Sequence, residues 1–141
     1  MALTYSIRRT IRAPRERIWA LLTDAARFPE WNSTVTSIEG TIALGERLAI
    51  RVPIDAKRVF HPKVSKLVTN EAMEWSDGFA PMFRGVRTFT LTAAPGGATE
   101  FAMTERFSGL MLPLVKRSLP DFTPVFEAYA TDLQRAAEEP A

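Results

Sequence analysis

A long apolar stripe near the C-terminal end constrains the fold more than any other feature of this sequence. Within residues 110–139, apolar side chains recur at alternating steps of four and three, the spacing of one face of an amphipathic helix. The stripe consists of Val115, Leu119, Phe122, Phe126, Tyr129, Leu133 and Ala136. The segment itself cannot bury this face, so the rest of the chain must cover it.

Three prolines interrupt the same segment, at positions 113, 120 and 124. Proline removes a backbone donor, so we expect a bend rather than one straight helix from residue 112. The regular helix is predicted to begin between Leu119 and Pro124. Residues 138–141 are predicted to form a frayed tail.

The chain before this helix shows the two-residue period of β-strands. Residues 3–11 alternate between apolar and polar side chains. Six further predicted strands span residues 34–39, 46–53, 57–68, 72–77, 84–93 and 98–108. Short turns rich in Gly, Pro, Asn and Asp separate them, which favours an antiparallel meander. Pro14 and Pro29 indicate two short helices after the first strand.

These patterns predict an α+β protein in which a curved antiparallel seven-stranded sheet wraps around a long C-terminal helix. A chain of 141 residues can bury about two thirds of its unfolded surface, so we expect one domain over residues 1–141. A sheet curved around a helix can enclose a pocket.

Composition narrows the function classes. The chain has no cysteine, a net charge of +2 and scattered basic residues. With no apolar leader pattern before the first strand and no run as long as a bilayer span, we expect a cytoplasmic protein without a membrane span. Nucleic-acid binding is not expected. His61, the one histidine, is predicted to be a partly exposed surface residue, and neither a metal site nor a phosphate loop is apparent, so no cofactor is expected.

Several segments resemble the START-like superfamily, also called SRPBCC. They are IRAPRERIW at 11–19, Asp24, FPEWN at 28–32, Trp75, FRGV at 83–86, TEF at 99–101, ERFSG at 105–109 and LPDF at 119–122. The superfamily includes polyketide cyclase/dehydrase-like proteins and the major birch pollen allergen, and this chain is similar to a bacterial branch of small stand-alone members. The resemblance implies the helix-grip fold over essentially the whole chain. Ser33 stands where many members of the branch have proline, and Arg87 where many have histidine.

A charge pair is predicted on the apolar side of one hairpin. If residues 95–97 form a three-residue loop, opposed residues on the two strands have numbers that sum to 192. The resulting pairs are Leu91 with Phe101, Phe89 with Met103, and Arg87 with Glu105. A loop longer or shorter by one would oppose the apolar residues to Thr and Glu. A carboxylate on an apolar face is costly unless paired, and a guanidinium can satisfy it with two parallel hydrogen bonds.

Two interpretations of this pair remain open: an anchor that orients a ligand's carbonyl or hydroxyl, and a structural salt bridge at the cavity wall or rim. The apolar loop, residues 79–83, is predicted to lie beside residues 109–112 and beside Trp31 and Asn32 at the pocket mouth, and to gate the pocket. The predicted ligand-binding residues are Trp75, Phe79, Phe83, Arg87, Phe89, Phe101, Met103, Glu105, Phe107, Phe122 and Phe126.

We hypothesise that the chain binds a small hydrophobic molecule, lipid-like or aromatic and polyketide-like, in a pocket between sheet and C-terminal helix. A second hypothesis is a cyclase or dehydrase that uses pocket acids and bases, without a metal or a covalent intermediate. A third is an interaction module whose pocket is filled and whose apolar loop contacts a partner protein. The protein is expected to be a monomer or a homodimer.

Overall fold

The computed structural model describes residues 2–139, which form eight β-strands and four α-helices. The strands are β1 (Ala2–Ile11), β2 (Ser37–Glu39), β3 (Ala49–Arg51), β4 (Val59–Phe60), β5 (Lys63–Val68), β6 (Ala72–Phe79), β7 (Phe83–Ala93) and β8 (Thr99–Ser108). The helices are α1 (Arg15–Leu22), α2 (Phe28–Trp31), α3 (Leu112–Val115) and α4 (Thr123–Glu138). The predicted α+β architecture with two short helices after the first strand and a long C-terminal helix is confirmed.

The strands form two antiparallel sheets rather than the expected seven-stranded one. The larger has the order β1-β8-β7-β6-β5, and the smaller has the order β2-β3-β4. The predicted strand at 57–68 is divided into β4 and β5 by residues 61–62. Pro62 has no amide hydrogen, so it cannot donate to a neighbouring strand at this point. A bridge between Arg47 and Lys63 connects the segment before β3 to β5.

The hairpin of β7 and β8 has the predicted register. The amide of Ala94 donates to the carbonyl of Ala98 at 2.9 Å, and Arg87 lies opposite Glu105. The side chains that face α4 form rows across the large sheet, one residue from each strand. One row contains Val64, Trp75, Arg87, Glu105 and Tyr5, and the next contains Leu67, Met73, Phe89, Met103 and Ile7.

Helix α4 begins at Thr123, inside the predicted interval. Helix α3 and a 3-10 turn over Lys116–Ser118 precede it. Its buried residues are Phe126, Tyr129, Ala130, Leu133 and Ala137, so the stripe ends on Ala137 rather than on the predicted Ala136. Because the helix starts this late, Val115 and Leu119 lie outside it. Phe122 is its N-cap residue, and its ring packs on Tyr5 and Phe107 of the large sheet, as predicted.

The C-terminal end of α4 is fixed to the first helix region. The guanidinium of Arg17 donates to the carbonyls of Ala137 and Glu139. The backbone amide of Arg12 donates to the Glu138 carboxylate, and this hydrogen bond lowers the pKa of that carboxyl group. Glu138 thus belongs to the last turn of α4 rather than to a frayed tail; residues 140–141 of the predicted tail lie outside the described residues.

Candidate functional site

A cavity of about 390 Å³ lies between the large sheet, the small sheet and the N-terminal half of α4. The large sheet contributes Trp75, Asp77, Gly78, Phe83, Gly85, Arg87, Glu105 and Phe107. The C-terminal segment contributes Val115, Leu119, Pro120, Phe122, Val125 and Tyr129. The remaining lining residues are Phe28, Thr34, Val35, Ile50, Val52, Ile54, Asp55, Arg58, Val59, Phe60, His61 and Pro62. Most of this wall is apolar.

The position of the cavity along the strands explains which predicted residues reach it. The row with Trp75, Arg87 and Glu105 lines the cavity. The next row, with Phe89 and Met103, is fully buried against the rest of the core. The cavity therefore occupies only the part of the sheet nearest the β6–β7 turn.

Six of the predicted ligand-binding residues line the cavity: Trp75, Phe83, Arg87, Glu105, Phe107 and Phe122. The other five do not. Phe89, Phe101, Met103 and Phe126 are at most 2% exposed and fill the closed end of the core. Phe79 is 71% exposed and points away from the interior, since it begins the turn that leads into β7. Whether the lining residues bind a ligand stays a prediction.

The predicted charge pair forms with one hydrogen bond rather than two. Nε of Arg87 lies 2.8 Å from Oε1 of Glu105, and the two side chains are 20% and 14% exposed. The guanidinium carbon also lies 5.2 Å from the centre of the Phe126 ring and 5.9 Å from that of Tyr129. Within residues 2–139, the two terminal amino groups of Arg87 have no hydrogen-bond acceptor. They are thus free to donate to a molecule in the cavity.

Two aromatic residues of the cavity wall carry buried polar atoms without a partner. These atoms are Nε1 of Trp75 and the hydroxyl oxygen of Tyr129, neither of which has a hydrogen-bond partner among the described residues. The Phe28 ring lies 6.5 Å from both the Trp75 and the Tyr129 ring. Phe89 likewise lies 5.0 Å from Trp75 and 6.3 Å from Tyr129. The two unpaired donors therefore belong to one aromatic cluster.

Burial raises the pKa of the Tyr129 phenol, and the nearby charge of Arg87 opposes that shift only in part. The phenol consequently stays protonated at neutral pH. It can donate a hydrogen bond, but it cannot act there as a base.

The apolar loop is fixed to residues 109–112, as predicted, whereas Trp31 and Asn32 do not line the cavity. The amides of Leu110 and Met111 donate to the carbonyls of Pro81 and Met82 at 2.9 and 2.8 Å. Gly109 has a φ of +119°, and an added Cβ would lie 2.4 Å from the Met82 carbonyl oxygen, so this approach requires glycine. Phe83 stacks on Phe107, with ring centres 6.0 Å apart.

The sequence patterns did not predict that the small sheet and its connections form part of the cavity wall. Ile54, Asp55 and Arg58 line the cavity from the segment around the 3-10 turn Pro53–Asp55. Exposed His61 also lies on this wall. The two prolines at 53 and 62 mark the irregular backbone, but no periodic pattern indicated which way these side chains point.

Solved structures with the same fold cover nearly the whole chain. A protein from Mesorhizobium loti is 24% identical, with a TM-score of 0.74 over 95% of this chain and 96% of that one. A START superfamily protein from Mycobacterium smegmatis is 17% identical, with a TM-score of 0.69 over 96% and 97%. Truncated norcoclaurine synthase from Thalictrum flavum is 12% identical, with a TM-score of 0.74 over 100% and 96%. These likenesses establish the START-like, helix-grip class of fold.

The family described as polyketide cyclase / dehydrase and lipid transport matches residues 2–138. The chain belongs to this family, which confirms the resemblance to the START-like superfamily. A search among proteins of curated function found no significant match.

Two further findings concern residues 2–139. None of the helices in this range has both the length and the apolar character needed to cross a lipid bilayer. No three His, Asp or Glu side chains in it come together in a way that could hold a metal ion.

Proposed function

We propose that this protein binds a small, largely apolar molecule in the cavity between the large sheet and α4. The observation that carries the proposal is the cavity itself, with a volume of about 390 Å³ and a wall of mainly aromatic and aliphatic side chains. Ligand sites in proteins are typically about 300–1,000 Å³, apolar, and furnished with a few polar groups. Arg87, Glu105 and Tyr129 are such groups here.

The same observation argues against the interaction module with a filled pocket. A chain that needed no ligand would gain stability by filling this volume, because each unfilled methyl-sized space costs about 1 kcal/mol. The residues one row deeper show that the sequence can pack this fold tightly, since Phe89 and Met103 are fully buried.

Binding is also favoured over acid–base catalysis. The Glu105 carboxylate is held by Arg87, and the raised pKa of Tyr129 keeps its phenol protonated. We therefore assign both groups to holding a ligand. A catalytic acid or base would have to be Asp55, Asp77 or His61, which also line the cavity.

The proposal can be tested by combining native mass spectrometry with probe titration. Protein purified from its own cells should carry a co-purifying small molecule, and stripped protein should bind N-phenyl-1-naphthylamine saturably at one site. Val52 is half-buried and lines the cavity, so Val52→Trp should fill part of it and weaken probe binding about tenfold or more.

Val68→Trp is the matched control, because Val68 is 39% exposed and does not line the cavity. It should leave probe binding unchanged. The absence of both a co-purified molecule and saturable probe binding would contradict the proposed function. Turnover of a poly-carbonyl substrate that is lost in Glu105→Gln would instead favour the enzyme.

A further inference from the structure

We propose that the end of the molecule at the β6–β7 turn binds the surface of an anionic lipid bilayer. This inference goes beyond the proposed function and does not require an occupied cavity. It is carried by two neighbouring segments without charged side chains, residues 78–83 and residues 107–115. The exposed apolar side chains of these segments, called here the apolar tip, are Phe79, Met82, Leu110 and Leu114.

The side chains of the apolar tip contact solvent over much of their surface. Phe79 and Leu110 are each 71% exposed, and Leu114 is 74% exposed. Met82 is 39% exposed. The other large apolar side chains that the described residues expose are Leu44, Ile54 and Val68. More than half of this exposed apolar surface is therefore gathered on two segments, which indicates a surface that an apolar partner covers.

Backbone hydrogen bonds between the two segments favour lipid as that partner. The amides of Leu110 and Met111 donate to the carbonyls of Pro81 and Met82 at 2.9 and 2.8 Å. The amide of Leu114 donates to the carbonyl of Met111 at 3.0 Å. The apolar part of a bilayer offers no hydrogen bonds, so a segment that enters it must pair its backbone groups internally. The two segments thus pair groups that would find no partner in lipid.

Basic side chains flank both segments. Arg84 follows the first segment, and Arg106 precedes the second. Lys116 and Arg117 follow the second. All but the half-buried Arg84 are exposed, and none of the four is paired with a carboxylate among residues 2–139. Asp77 is the one acid directly beside either segment in the sequence, and its carboxylate accepts a backbone amide hydrogen bond at 2.8 Å.

This charge distribution selects an anionic bilayer over a second copy of the chain. Exposed apolar side chains surrounded by Lys and Arg are typical of surfaces that bind anionic lipid headgroups. A two-fold interface places the same surface of both copies face to face. It would bring the four basic side chains of one copy toward those of the other, and like charges repel across an interface.

Co-sedimentation with sucrose-loaded vesicles tests the proposal. Vesicles of phosphatidylcholine with about 30% phosphatidylglycerol should bind the protein at least about tenfold more tightly than vesicles of phosphatidylcholine alone. Raising the NaCl concentration from about 0.1 M to about 0.5 M should weaken binding to the anionic vesicles, because salt screens the attraction of the basic side chains.

One pair of double variants tests the apolar contribution. Leu110→Ser combined with Leu114→Ser should weaken binding to the anionic vesicles about tenfold, because less apolar surface enters the lipid. Leu44→Ser combined with Val68→Ser is the matched control, since both residues are exposed but lie outside the apolar tip. The control variant should bind these vesicles as the natural protein does.

A second pair tests the charge contribution. Lys116→Gln combined with Arg117→Gln should remove most of the preference for anionic over neutral vesicles. Lys63→Gln combined with Lys66→Gln makes the same change in net charge on β5, at the far edge of the large sheet from β1. This control variant should keep most of the preference.

Three results would overturn the proposal: no binding to either kind of vesicle, equal losses in the two serine variants, or equal losses in the two glutamine variants. A dimer in sedimentation equilibrium without vesicles, abolished by the Leu110 and Leu114 substitutions, would assign the apolar tip to a second copy instead. Val52→Trp, which fills part of the cavity, should leave vesicle binding unchanged. Vesicle binding and probe binding can therefore fail independently of each other.

Discussion

Arg87 and Glu105 meet across β7 and β8, with Nε 2.8 Å from Oε1, on the face of the sheet that is turned toward α4. The guanidinium lies between this carboxylate and the rings of Phe126 and Tyr129. The charged pair thus forms the boundary between the packed core and the cavity.

Glu105→Gln should lower the free energy of unfolding by about 1.5 to 3 kcal/mol, because it leaves a mostly buried guanidinium without its charged partner. Equilibrium urea denaturation measures the change. Arg8 and Glu100 form a matched control pair at 2.7 Å on the solvent side, where their side chains are 77% and 42% exposed. Glu100→Gln should cost less than about 1 kcal/mol. Equal losses in the two variants would show that the interior pair has no special role.

Phe126→Ala should destabilise the protein by about 3 to 5 kcal/mol, because Phe126 is 2% exposed and packed on all sides. Phe122→Ala provides the comparison, since Phe122 is half-buried and borders the cavity. It should cost clearly less, because the space around it is already open. Denaturation curves in which Phe122→Ala costs as much as Phe126→Ala would mean that no open cavity lies beside Phe122.

Phe83→Ser should change the association and dissociation rates of an apolar probe, because Phe83 lines the cavity and belongs to the apolar loop. Stopped-flow fluorescence measures both rates, and the melting temperature should change little. Phe79→Ser is the control, since Phe79 is 71% exposed and does not line the cavity. A large drop in melting temperature with unchanged rates would make Phe83 a core residue rather than part of a gate.

Tyr129 should make the folded protein sensitive to alkaline pH. Its pKa is raised above the ordinary value of 10.0 by burial, so above about pH 10 the unfolded chain loses a proton that the folded protein keeps. Stability from this group is complete below pH 10 and falls as the pH rises, by up to about 1.4 kcal/mol per pH unit.

Tyr129→Phe should remove this dependence. In urea denaturation between pH 8 and 11.5, the free energy of unfolding of the variant should therefore rise relative to that of the natural protein as the pH rises. At pH 8 the variant should be about as stable as the natural protein, because the lost hydroxyl has no hydrogen-bond partner among the described residues. Parallel pH curves for the two proteins would contradict the buried, unpaired phenol.

The sequence by itself determined the α+β arrangement of sheet and helix and the register of one hairpin, but not the division of the strands into two sheets. The helical stripe and the period-two segments required a sheet gripping a helix, because each apolar face must be covered by another element. The pairing of Arg87 with Glu105 was predictable because a three-residue loop fixes the register of a hairpin, and the apolar pattern selects among registers. The loop length and the apolar pattern are both properties of short segments of the sequence.

Tertiary structure decided how far the cavity extends along the sheet. Arg87 and Phe89 lie on the same face of β7, yet Arg87 borders the cavity and Phe89 is fully buried. The alternation of apolar and polar residues predicts which face of a strand each side chain lies on. It does not predict which element packs over each row of the sheet. That depends on where α4 begins and on how the small sheet closes the other side. These positions result from packing between segments distant in sequence, for which no local period exists.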